Sequence, residues 1–134
     1  MENKNRYPLL LAEDVIDTIR ESVIILDETL KIISANNSFY ANLKLKPQET
    51  EGKLIYELSN GQWNIPDLIR LLRELTHQQG TVSNFSLRHS FENIGLKVLI
   101  LNARKIIRTS DEPSLILLGI EDITTQYATQ KVLE

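Results

Sequence analysis

The chain has 134 residues, the size of one domain. Its 15 Lys and Arg against 18 Asp and Glu leave a formal net charge of −3, with no basic cluster of the kind that counterion release on nucleic acid needs. A hydrophobic share of 42% supports a real core, and the absence of cysteine removes disulfides, thiolate metal sites, cysteine nucleophiles and cofactors attached through sulfur. No stretch approaches the roughly 20 apolar residues of a membrane helix, so a cytoplasmic location is expected, with no membrane contact within this chain.

In chain order, Glu13 to Ser22 reads as an amphipathic helix, with Val15, Ile16 and Ile19 on its apolar side. Val23 to Leu26 is β-branched and continuous, Asp27-Glu28-Thr29 supplies a turn, and Leu30 to Ala35 gives a second strand, so the two form a hairpin. Asn36-Asn37-Ser38 offers N-cap chemistry for a helix through Phe39, Tyr40 and Leu43, and Pro47 ends that stretch or opens another turn. Asn60-Gly61 is a turn dipeptide. Asn64 is expected to cap a helix with Pro66 in its first turn, along which Ile65, Leu68, Ile69, Leu72 and Leu75 form an apolar stripe.

After Gly80 the period drops to two. Phe85, Leu87, His89 and Phe91 alternate with polar residues, as in a strand with one wet face. Asn93 to Gly95 turns the chain, Leu96 to Ile107 and Leu115 to Asp122 are the last strands, and Thr124 to Glu134 is helix-compatible. The sum is an α+β domain, helices grouped against an antiparallel sheet of about five strands. Val98 to Leu101 and Leu115 to Leu118 are apolar at both parities, so both sheet faces need cover. Helices supply one cover. The N-terminal segment Leu9 to Ile19 or a second subunit supplies the other, with Val15, Ile16, Ile19 and His89 as the dimer or cap contacts.

Three stretches carry a family likeness. Ile19 to Asp27 with Leu30 to Asn36 and Phe39 resembles the opening hairpin and first helix of PAS sensors, and Leu118 to Thr124 resembles their last strand with its Asp-Ile-Thr end. Asn60 to Leu68, with Leu101 to Arg104, is similar to a PAS subgroup found in bacterial sensor histidine kinases and chemotaxis methyltransferase-type fusions. The resemblance implies a five-stranded antiparallel sheet, cytoplasmic signalling in a bacterial two-component system, homodimerisation and a downstream effector such as a histidine kinase. It divides the chain into an N-terminal extension (1–12), a sensory domain (13–125) and the start of a linker helix (126–134). No kinase histidine box or ATP-binding glycine motif is present, so the chain is expected to be either a sensory fragment or a stand-alone interaction adaptor.

Without cysteine, a covalent flavin adduct and a thioester-linked chromophore are both excluded, while a flavin held without a covalent step stays open. Haem is disfavoured: His77 reads as a solvated helix end, and His89 as a residue of the sheet surface or a dimer seam. Neither forms a metal site with nearby carboxylates. Trp63 is either a structural aromatic at the start of the long helix or a wall of a ligand pocket. Asn102, inside an apolar strand, is expected to be a buried amide whose partner is a side chain or a ligand. Phe39, Trp63, Leu72 and Asn102 are thus the candidate pocket for a small apolar ligand. The serines lack a nucleophile elbow, and no enzyme is expected. Asp122, Ile123 and Thr124 are the candidate signal-coupling joint, in which Asp122 or Thr124 caps the terminal helix.

Overall fold

The computed structural model describes residues 21–78, 80–109 and 111–133. Val15, Ile16 and Ile19 lie outside them, and so does most of the helix predicted for Glu13–Ser22. Ser22, expected to close that helix, instead opens strand β1 (Ser22–Leu26), because its backbone pairs with Ile120.

β1 turns at Asp27 into β2 (Ile32–Ala35). The turn is pinned by one oxygen: Asp27 Oδ1 accepts from the Thr29 amide at 2.8 Å, the Thr29 hydroxyl at 2.7 Å and the Lys31 amide at 3.0 Å. Helix α1 (Asn37–Leu43) follows directly, with Asn36 as N-cap. Asn36 is fully buried, and its Oδ1 accepts from the Phe39 amide at 3.0 Å and the Val23 amide at 2.9 Å while its Nδ2 donates to the Glu21 carbonyl at 2.8 Å. A single amide therefore caps the helix and ties it to the start of β1.

Pro47 opens α2 (Pro47–Thr50), and a 3₁₀ turn covers Ile55–Glu57. Ser59, Asn60 and Gly61 then take three consecutive left-handed conformations (φ 52°, 56° and 85°), so Leu58–Gly61 is a left-handed turn and not a helix. Helix α3 (Pro66–His77) buries Leu68, Ile69, Leu72 and Leu75 of the predicted stripe, while Ile65 stands before the helix and is half-buried. Asn64 does not cap it. The N-cap position falls to Ile65, extended at φ −100° and ψ 114°, because the proline ring keeps its preceding residue out of the helical region.

β3 (Thr81–Phe91), β4 (Gly95–Ile106) and β5 (Leu115–Asp122) complete the sheet, and α4 (Thr124–Leu133) ends the described chain. Among the described residues the strands form one antiparallel sheet in the order β2-β1-β5-β4-β3, which places the first strand beside the last. One face carries the core. Ile24, Leu26, Leu87, Phe91, Leu99, Leu101, Ala103, Ile116, Leu118 and Ile120 point inward and pack with Phe39, Leu58, Trp63, Leu68 and Leu72. The other parity, Ile25, Ile100, Leu115 and Leu117, is half-buried, and Val98 is buried outside the main core cluster. The expected five-stranded α+β architecture is what the chain adopts. No helix among the described residues is long and apolar enough to cross a membrane.

Candidate functional site

The four pocket candidates fall on opposite sides of the sheet. Phe39, Trp63 and Leu72 are almost fully buried on the helix side, where the Trp63 ring lies 5.0 Å from Phe91. All three belong to the core cluster between helices and sheet. Asn102 corrects the expectation of a buried amide: it is exposed on the outer face, because Leu101 and Ala103 on either side of it point inward. Its partner is backbone. Two residues of β3, Ser83 and Asn84, stand opposite Asn102 in a β-bulge, and the Asn84 amide donates to Asn102 Oδ1 at 2.9 Å. Asn84 has a positive φ of 53°, so the side chain across the ladder holds a backbone conformation that costs energy. Beside it lies a shallow, mostly apolar depression of about 290 Å³, walled by Val23, Thr81, Ser83, Asn102, Leu117 and Gly119.

His89 shares the face of Leu87 and Phe91, as its alternation predicts, and its ring stands edge-on to Phe91 at 4.7 Å. That is the helix side, away from the outer face that a cap or partner would cover. His77 is exposed at the end of α3. Among the described residues no three His, Asp or Glu side chains cluster as metal ligands would.

The C-terminal candidates do converge. Val98 of β4 is held on both sides of its peptide: its carbonyl accepts from the Ile123 amide at 2.9 Å, and its amide donates to Thr124 Oγ1 at 2.9 Å. The Thr124 hydroxyl in turn donates to Asp122 Oδ1, which also accepts from the Thr124 amide at 2.9 Å. Asp122 Oδ2 pairs with Lys97 Nζ at 3.1 Å. Partial burial pushes the Asp122 carboxyl up, but the hydrogen bonds from Thr124 and the Lys97 ammonium together outweigh it and hold the group below its usual value. One hydroxyl on the first residue of α4 therefore joins β4 to the end of β5. The Asp-Ile-Thr motif pointed to this joint. Lys97 and Val98 were missed, and the signal for them is register: Leu99 pairs with Asp122, so the two residues before Leu99 lie level with the start of α4.

The outer face adds one more contact to α4. Arg88, paired across the ladder with Val98, sits over the Tyr127 ring at 5.1 Å and donates to its hydroxyl.

Comparison with known proteins agrees with this architecture. Residues 20–125 match the family model described as a PAS domain. No curated protein matches the sequence. Among solved structures, the PAS domain of Bordetella pertussis BvgS superposes with a TM-score of 0.69 at 14% identity, over 94% of this chain and 93% of that one. The PAS domain of an HTR-like protein from Haloarcula marismortui gives 0.63 at 13%, over 91% and 97%. A Rhodobacter sphaeroides LOV protein gives 0.71 at 16%, over 88% and 68%. A PAS domain from a two-component sensor histidine kinase gives 0.63 at 9%, over 89% and 99%. Likeness at these identities carries the fold, and the family model, spanning both the hairpin and the terminal joint, carries the membership: the chain belongs to the PAS domain family.

Proposed function

We propose that this PAS domain is a non-enzymatic sensory and dimerisation module of a cytoplasmic bacterial signalling protein, which passes a change of state through Asp122, Ile123 and Thr124 into α4 and on to an effector such as a histidine kinase. The observation that carries the reading is the shared Thr124 hydroxyl, which accepts from β4 and donates to the end of β5. A shift of β4 against β5 has to break one of those bonds or turn the helix. The subgroup of sensor histidine kinases and chemotaxis methyltransferase-type fusions belongs to the same proposal. So does a homodimer seated on the outer face, where Ile25, Ile100, Leu115 and Leu117 are half-buried and Ile106 is exposed.

The test is output in the intact signalling protein. Thr124→Val keeps the shape of the side chain and removes the hydroxyl. Effector activity should change while the thermal midpoint of the domain moves by a few degrees at most. Output equal to wild type at every level of stimulus rejects the coupling role. Sedimentation at high concentration checks the dimer, which a strict monomer rules out.

The ligand is a separate matter. The packing of Phe39, Trp63 and Leu72 against Phe91 and Leu99 favours a domain that works without a bound cofactor. Native mass spectrometry and an absorption spectrum of purified protein should show the bare chain mass and no visible band.

A further inference from the structure

We infer that Arg88 and Tyr127 form a latch that docks α4 on the outer face of the sheet, separate from the Thr124 joint that starts the helix. Arg88 lies on the outer parity of β3, since Leu87 is buried in the core, and α4 must lie over that face for Tyr127 to reach it. The guanidinium makes two kinds of contact with one side chain: its Cζ lies over the ring, and one of its nitrogens donates to the phenol oxygen. Val98, directly across the ladder from Arg88, is buried although it belongs to the outer parity, which fits a helix lying over this corner.

The helix needs such an anchor. Thr124, Thr125 and Thr129 are poor helix formers, and a helix of about ten residues is marginal in water without tertiary contacts. Thr125, Gln126, Ala128 and Thr129 are exposed, so among the side chains described in α4 beyond its first residue, Tyr127 alone is half-buried. Two supports of the helix thus stand among the described residues. Thr124 fixes where it begins, and Arg88 fixes which way it runs.

The consequence for signalling rests on α4 being the output helix, but the latch is tested without that assumption. Amide hydrogen exchange of the whole 134-residue chain is compared for wild type, Arg88→Gln, Tyr127→Leu and the double variant. Each single variant should raise exchange of the α4 amides by roughly five- to thirty-fold and leave β4 and β5 unchanged. The double variant should add little beyond Tyr127→Leu, because that single variant already removes the contact with Arg88. Arg88→Lys, which keeps the charge without the planar fork, should fall between. Unchanged α4 exchange in Arg88→Gln, additive effects in the double variant, or an equal rise across the whole sheet would each overturn the latch. Failure here leaves the Thr124→Val test of output standing, and a null result there leaves the latch standing.

Discussion

The two faces of the sheet are built from the same strands and behave as different materials. On the helix side, Leu99, Leu101, Leu118 and Ile120 are close to fully buried and meet Trp63, Phe39 and Leu72. Here interior packing leaves little freedom, and any change of side-chain volume is felt. On the outer side, Gly119 carries no side chain, Asn102 faces solvent, and Ile100, Leu115 and Leu117 are half-covered. The inner face keeps the fold, and the outer face is the one on which the Arg88–Tyr127 contact lies. The Thr124 joint lies at the end of the sheet, where β5 runs into α4.

That contrast predicts a ranking of variants. Trp63→Ala should be the most damaging, costing about 3–5 kcal/mol by urea denaturation, since it empties a site walled by Phe91. A loss below about 1 kcal/mol would show that the inner face is looser than its burial implies. Asn36→Ala should cost about 2–3 kcal/mol, because it strands the Val23 and Phe39 amides inside the fold. Asn36→Asp, which keeps the acceptor but sets a carboxylate oxygen against the Glu21 carbonyl, should recover only part of it. Asn102→Ala should stay within about 1 kcal/mol, as water can reach the Asn84 amide at that exposed bulge. A larger loss would mean that the bulge is a structural keystone of the outer face.

The smallest effect concerns acid. Asp122 has its folded pKa lowered, so its stabilising contribution is complete above the unfolded value of about 3.9 and disappears as pH falls through the lower folded value. Asp122→Asn lacks that component, and the stability gap between wild type and variant should close across this acid window. Asp27 is lowered in the same direction by Thr29 and Lys31 against an opposing effect of burial, so the difference between the two proteins, and not the wild-type curve alone, isolates Asp122. A gap that stays constant down to acid unfolding would sever the link to the carboxylate.

How much of this could be read in advance depended on how local each cause is. The bounds of β5 follow from a continuous apolar run, the inward set of β3 from alternation within a few residues, and Asn36 as a cap from its neighbours. Asn102 misled because its strand was read by composition. By parity it keeps company with Arg104, and that pattern already points outward. The bulge opposite it depends on the pairing of β3 with β4, which no local window contains. Lys97 with Asp122 and Arg88 with Tyr127 join residues 25 and 39 positions apart. Such contacts exist only after the strand order is set, and the strand order comes from the non-local pairing of β1 with β5.

That pairing also determines how the domain would respond to tension. β1 runs antiparallel to β5, and Ser22 lies opposite Ile120, so the chain arrives and departs at the same end of two neighbouring strands. A pull applied between the start of β1 and the far end of α4 would first load the Arg88–Tyr127 contact and then the Thr124 joint. Past that joint, the ladder would open one pair at a time from Ser22 and Ile120 inward, like a zipper, where strands loaded at opposite ends would have to shear all their bonds together. The domain is therefore mechanically soft along the line between the start of β1 and the end of β5, where a small displacement opens the Ser22–Ile120 end of the ladder first.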